Sequence, residues 1–200
     1  MIPPGKNREI VASEQDEAAA LIETFGGVLV RAFSQNESHL NQGTYIGRGK
    51  ADEVAQFVVD EAIDVVVINA NLSASQLFSL KGILSAKGRK VDVWDRIDVI
   101  LNIFKKHAKT AEANLQIRLA ETRHKGPELQ GMGKSMSQQG GGIGARGAGE
   151  TQTEIMKRHW RNEIQQIEGD LEKLVNTRLR QMEHRKRLGL PTVSLVGYTN

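Results

Sequence analysis

The stretch His124–Glu150, HKGPELQGMGKSMSQQGGGIGARGAGE, holds nine of the chain's twenty glycines and divides its second half in two. Glycine costs roughly 1 kcal/mol relative to alanine in a helix interior. A segment one-third glycine is therefore expected to be neither helix nor strand. Loops longer than about 12 to 15 residues are uncommon in compact domains unless they do something, so this one is the first candidate for function.

Both flanks carry helical periodicity. Upstream, Asp95 is a good N-cap for one long helix reaching about Arg123, with Ile97, Leu101, Phe104, Ala108, Ala111, Leu115 and Leu119 stepping by four and three. Downstream, Thr151-Gln152-Thr153-Glu154 has capping-box form and opens a second helix to about Leu188. Its seam runs through Met156, Trp160, Ile164, Ile167, Leu171, Leu174, Leu179 and Met182. Two stripes of matched length predict an antiparallel, coiled-coil-like hairpin. The glycine loop is then expected at its tip, about 40 Å from the preceding domain at 1.5 Å per helical residue.

The first half alternates. Helical patterns at Ser13–Thr24, Ala51–Ala62 and from Ser73 to the glycine stop at Gly88 are interleaved with strand-like runs at Val28–Phe33, Asp64–Asn69 and Val91–Trp94. Ser73 to Gln76 has capping-box form. A further strand near Glu9–Ala12 is a weak expectation. This alternation predicts a small parallel sheet flanked by helices. The fold class is thus α/β, divided as a subdomain over 1–94, a hairpin over 95–190 with its loop at 124–150, and at 191–200 a strand that begins something further.

Bulk composition sets bounds. There is no cysteine, which excludes disulfides, thiolate metal sites and cysteine nucleophiles and suits a reducing cytoplasm. The sequence has neither a signal-like apolar leader nor an apolar run near 18 residues, so no membrane association is expected and the location is read as cytoplasmic. The formal charge is +3, but the halves differ. Residues 1–94 carry 9 Lys and Arg against 12 Asp and Glu, and residues 95–200 carry 18 against 12. A basic half joined to a mildly acidic one points to a polyanionic partner, with a solvated helix surface as the bland alternative.

No constellation of catalytic or metal-ligating residues stands out, and three glycine-lysine stretches test differently as phosphate cradles. Gly133-Lys134-Ser135 fails the P-loop pattern because Glu128 stands where glycine is required. Gly47-Arg48-Gly49-Lys50 lies at a helix start and is better read as a turn than as an anion site. Strand-like Val193–Val196 followed by Gly197, Tyr198, Thr199 and Asn200 supplies only the opening of a P-loop.

In company, these segments resemble the HflX family of translational GTPases. YIGRGKADEVAQFV (45–58), NLSASQLFSL (71–80), GGIGARGAGETQTE (141–154) and PTVSLVGYTN (191–200) stand in family order. The resemblance covers roughly residues 26–200, departing from the family pattern in a shortened leader and in the text around Trp94 to Asp98. It implies that Gly197 to Asn200 open a nucleotide-binding loop, with GTP and Mg2+ bound by the full-length protein and no cofactor by this fragment. It also implies binding to the large ribosomal subunit, with the hairpin loop reaching rRNA near the peptidyl-transferase region, in ribosome splitting or rescue under stress.

The residues suit that role. Arg123, His124, Lys125, Lys134 and Arg146 surround a backbone kept slim by Gly141, Gly142, Gly144 and Gly147, which can approach RNA closely. Lys157 and Arg158 begin a basic line continued by Arg161, Arg178, Arg180, Arg185, Lys186 and Arg187. A monomer is expected. The rival readings are an ATP-dependent RNA-remodelling domain using Gly47 to Lys50, and a coiled-coil interaction scaffold.

Overall fold

Two capping boxes set the frame of the molecule, seen in a computed structural model that describes residues 8–35, 41–139, 152–191 and 193. Ser73 accepts from the Gln76 amide while the Gln76 side chain accepts from the Ser73 amide, opening helix α3. Asp95 and Asp98 do the same for α4. Each box satisfies two otherwise orphaned amides at a helix start.

The elements follow as α1 (Arg8–Phe25), α2 (Arg48–Asp60), β1 (Val65–Val67), α3 (Ala74–Ser85), β2 (Asp92–Trp94), α4 (Arg96–His107), α5 (Ala111–Gln139) and α6 (Gln152–Arg187). β1 and β2 pair in parallel, Val65 with Asp92 and Val67 with Trp94. The α/β class, with a small parallel sheet flanked by helices, is as expected. The core lies between the sheet and α2 and α3, where Val54, Val58, Leu77, Leu80, Leu84, Val91 and Val93 are buried.

Four expectations are corrected. Val28–Phe33 is not a strand among the described residues; it lies outside the two-stranded sheet, and Val28 is 86% exposed. Its β-branched composition favours a strand only where a partner edge is present. Glu9–Ala12 is helical, forming the first turns of α1. The chain then turns at Gly26, whose φ of +93° few other residues adopt and whose amide bonds the Ile22 carbonyl.

The single helix expected over 95–123 is two. α4 ends at His107 behind a basic last turn, Ala108 is extended, and Thr110 caps α5 by accepting from the Ala113 amide at 3.1 Å. The three-four stepping runs across this break because neither glycine nor proline marks it. As a result Phe104, expected in the seam, is 57% exposed.

The fourth correction concerns the opening stretch. α5 continues helical through His124 and Gly126 to Gln139, so the expected loop is reduced to 140–150, which lies outside the described residues together with Thr151 of the expected capping box. At Gly126 tertiary contact overrides composition, as the junction described below shows. α5 and α6 lie side by side, with Glu112 against Arg178 and Gly126 against Trp160, so contacts run backward along α6 as α5 advances. Ile167 is buried at 2%, but Leu179 and Met182, expected in the same seam, are about half exposed.

Candidate nucleic-acid interface

The break at 108–110 folds α5 back, so that His124 reaches the end of β2 instead of standing 40 Å from the sheet. Asp95 follows β2 directly and is 1% exposed. Its Oδ1 accepts from the Asp98 amide at 2.9 Å and from His124 Nε2 at 3.1 Å, and its Oδ2 from the Leu72 amide at 3.3 Å. One carboxylate thus ties the α3 loop, the start of α4 and the middle of α5 together. The pairing requires the His124 tautomer with hydrogen on Nε2.

Asp98, also buried, lies 3.9 Å from Lys125. Burial pushes its carboxyl above the ordinary value of 3.8, the bond from the Asp95 amide pulls it back, the Asp95 charge raises it again, and Lys125 and His124 oppose that. The donor atoms of Asp95, Asp98 and His124 lie within 4.8 Å of one another. The two carboxylates accept from protein N–H groups, His124 Nε2 donates to Asp95, and no described buried side-chain polar atom is left without a partner. The cluster is a structural latch.

One turn further on, the Trp160 indole donates to the Thr122 carbonyl at 2.7 Å and lies flush against Gly126. A Cβ on Gly126 would stand 2.1 Å from the ring. The glycine that composition assigns to a loop is there to let two helices approach.

The basic residues singled out in the sequence divide accordingly. Arg123 pairs with Glu168 at 2.7 Å, His124 with Asp95 and Lys125 with Asp98, so all three have partners within the fold, Arg123 and Lys125 with their side chains exposed. Arg118 pairs with Glu163 and Arg178 with Glu112 across the α5–α6 contact. Lys134 lies on the helical part of α5. Gly141, Gly142, Gly144, Arg146, Gly147 and Gly197 to Asn200 lie outside the described residues.

Lys157 and Arg158 sit in the first turns of α6; Arg158 is exposed and engaged, while Lys157 is half-buried and makes no ion pair among the described residues. Further along, Arg178, Arg180, Arg185, Lys186 and Arg187 face one acid, Glu183, between Leu174 and Arg187, and all are exposed. Arg180 and Arg185 bond only backbone carbonyls of their own helix among the described residues. This end of α6 is an exposed positive surface, and such a surface attracts polyanions with strong salt dependence.

The turn at Gly47 offers little to an anion. Its amide is taken by Gln35 Oε1 at 3.0 Å, and Lys50 is paired with Glu53 at 2.5 Å. No described helix is long and apolar enough to cross a membrane.

Sequence reasoning found Asp95 as a cap and missed its hold on His124, because no local pattern links residues 29 apart. It also placed Trp160 in the seam and missed Gly126 beneath it. A glycine inside otherwise helical periodicity was the available signal.

Comparison with known proteins agrees with this architecture. Residues 12–105 match the family model described as GTP-binding GTPase N-terminal, and residues 107–185 match GTP-binding GTPase Middle Region. The chain is 38% identical over 196 residues to the GTPase HflX of Caldanaerobacter subterraneus subsp. tengcongensis, covering 96% of this chain and 45% of the relative. It is 39% identical over 196 residues to the GTPase HflX of Alkalihalophilus pseudofirmus (97% and 45%) and 35% over 184 residues to that of Escherichia coli (92% and 42%). It therefore spans less than half the length of these curated relatives. Among solved structures, a GTP-binding protein from the hyperthermophilic archaeon Sulfolobus solfataricus in complex with GDP shares the fold, with a TM-score of 0.60 at 22% identity over 81% of this chain and 42% of that one. With the two regional models lying end to end on the chain and curated relatives matching nearly all of it, the chain belongs to the HflX family of GTPases, matching its N-terminal and middle regions.

Proposed function

We propose that this chain is the RNA-contacting part of an HflX-type GTPase that binds the large ribosomal subunit, near the peptidyl-transferase region, in splitting or rescue of ribosomes under stress. The observation that carries the reading is the exposed cationic end of α6, five Lys and Arg against one acid over 174–187, of which Arg178 pairs with Glu112 and Arg187 with Glu183 while Arg180, Arg185 and Lys186 make no ion pair among the described residues. Here the polyanion is rRNA, a reading that membership of the HflX family supports. In this reading α5 and α6 form a coiled-coil-like hairpin with residues 140–150 at its tip. Arg146, with Gly141, Gly142, Gly144 and Gly147, meets rRNA there, while Lys134, Lys157 and Arg158 flank it.

Arg123, His124 and Lys125 would contribute only by sharing their present partners. The division into an α/β part over 1–94, a helical part over 95–190 and the start of a nucleotide-binding domain at 191–200 belongs to the same proposal. GTP and Mg2+ would be bound by the complete protein, with Gly197 to Asn200 opening the phosphate loop. The chain is proposed to act as a cytoplasmic monomer.

The test is co-sedimentation of the chain with purified large ribosomal subunits across 50 to 400 mM salt. Binding should weaken steeply with salt. Arg146→Ala and the triple variant Arg180→Ala, Arg185→Ala, Lys186→Ala should each weaken it several-fold. Absence of binding at the lowest salt would end the proposal. One observation favours a second reading, the interaction scaffold: Val175, Leu179, Met182, Leu188 and Leu190 form an apolar stripe 46 to 62% exposed at the same end of α6. Self-association in light scattering, abolished by Leu179→Ser with Met182→Ser, would support that reading instead.

A further inference from the structure

The last turns of α6 are exposed on every face. All residues over 175–187 are exposed, and among the described residues the only ion pair reaching them from another element is that of Arg178 with Glu112 of α5. α5 begins at Ala111, so from Arg178 to Arg187 the helix continues past its partner for roughly 13 Å at about 1.5 Å per residue.

The side chains on this free length are sorted by face. Thr177, Gln181 and His184 are spaced i, i+4, i+7 and form one stripe. At about 100° per residue, Arg178 and Arg185 lie about 80 to 100° to one side of that stripe, and Arg180 and Arg187 about 60 to 80° to the other. Glu183, the one acid over 174–187, falls outside this arc, while Val175, Leu179, Met182 and Lys186 occupy the opposite side of the helix. Thr177 bonds the Lys173 carbonyl of its own helix at 2.8 Å, and the side chains of Gln181 and His184 make no hydrogen bond to another element among the described residues. Arg180 and Arg185, one from each edge, bond carbonyls one turn back through Nε, which leaves their outer guanidinium nitrogens without partners among the described residues.

Two cationic edges about one helix diameter apart, roughly 10 to 12 Å, with hydrogen-bonding side chains between them, complement two phosphate walls with base edges between them. That is the form of a nucleic-acid groove. A lone strand of phosphates would engage one edge and leave the other unused. The major groove of a regular A-form RNA helix is too deep and narrow for side chains to read. We propose that the end of α6 inserts into the major groove of an RNA helix opened by a bulge or internal loop. Arg178 and Arg185 meet one phosphate strand, Arg180 and Arg187 the other, and Gln181 and His184 meet the base edges exposed between. This rests on the RNA reading above and deepens it, naming the form of RNA and the face of the helix that meets it. Arg178 and Arg187 exchange Glu112 and Glu183 for phosphate; both arginines are exposed, and ion pairs at the surface contribute little.

The experiment measures binding of the 200-residue chain, by fluorescence anisotropy, to labelled probes of matched length: a fully paired RNA hairpin, the same hairpin with a three-nucleotide bulge, a single-stranded RNA and a B-form DNA duplex. The bulged hairpin is expected to bind roughly fivefold or more tighter than the paired one. Gln181→Ala with His184→Ala should bring the two together and leave the affinity for the paired hairpin unchanged, because these side chains reach bases only in the open groove. Arg180→Ala with Arg185→Ala should weaken binding to every RNA and lower the salt slope by about two, one for each lost phosphate contact. Circular dichroism of both variants is expected to match the parent, since all four residues are exposed. Equal affinity for the bulged and paired hairpins, a preference that survives Gln181→Ala with His184→Ala, or tightest binding to the single strand overturns groove insertion and leaves the RNA reading standing. Tightest binding to the DNA duplex overturns it as well, assigning the face to DNA. No binding to any RNA at the lowest salt removes the RNA reading and this proposal with it.

Discussion

Gly126→Ala separates two accounts of the glycine-rich stretch. If Gly126 is merely a poor helix former, alanine should stabilise α5 by about 1 kcal/mol. In the structure the new methyl would lie 2.1 Å from the Trp160 indole, where carbon atoms prefer about 3.5 to 4.0 Å. The ring must retreat by roughly 1.5 Å, forfeiting its 2.7 Å bond to the Thr122 carbonyl. Overpacking costs about 1 to 3 kcal/mol and the lost hydrogen bond about 1 kcal/mol. Set against the propensity gain, the net is a destabilisation of about 2 kcal/mol. For a chain of this size that lowers Tm by about 4 to 8 °C. Thermal melts at 222 nm measure the effect, and Trp160 fluorescence in a Trp94→Phe background should shift to longer wavelength as the indole is displaced. Adding Trp160→Leu should remove most of the penalty, a coupling diagnostic of direct contact. A Gly126→Ala variant with an unchanged or higher Tm would refute the close approach of α5 and α6 at this point.

Asp98 gives the molecule a pH signature. Because burial raises its carboxyl above 3.8 in the folded state, the native protein binds more protons than the unfolded chain between 3.8 and that raised value. Its contribution is fully present below 3.8 and is lost as pH rises through the folded value. Asp98→Asn should flatten the dependence of urea-unfolding midpoints across that window, and an unaltered slope would assign it elsewhere. Leu80 is fully buried between α3 and the sheet, so Leu80→Ala should cost about 2 to 5 kcal/mol, read by the same titration. A loss below 1 kcal/mol would mean that this core is not tightly packed.

How far the sequence could be read depended on the range of each interaction. Ser73-Gln76 and Asp95 announced their helices because a cap is written within four residues. The parallel pairing of β1 with β2 followed from alternation, and Leu77, Leu80 and Leu84 were legible as one buried face. Val28–Phe33 misled because its composition describes a strand while its pairing depends on what lies beside it, and here a cavity does. The break at 108–110 was invisible to periodicity. Thr110 with Glu112 behind it is a modest start signal, and the seam positions on both sides happen to keep the same phase. The helical run from Gly126 to Gln139 contradicts glycine content outright, and Gly126 itself becomes intelligible only once Trp160, thirty-four residues away, is in place.

The break and the latch together determine which positive charges face outward. Because α5 turns back at Thr110, His124 and Lys125 arrive at Asp95 and Asp98, two buried carboxylates already committed to capping α4. His124 is held there by its hydrogen bond to Asp95, while Lys125 lies 3.9 Å from Asp98 with its side chain 52% exposed. Arg118, Arg123 and Arg178 are similarly engaged across the α5–α6 contact. Exposed pairs of that kind contribute little to stability, but they remove net charge from the flank of the helices. What is left over lies toward Arg187, where acids are scarce. A count of charges along the sequence finds a basic half; among the described residues the structure divides it into a set at the buried carboxylates, a cross-helix set and an outward set at the end of α6, where Arg180, Arg185 and Lys186 make no ion pair.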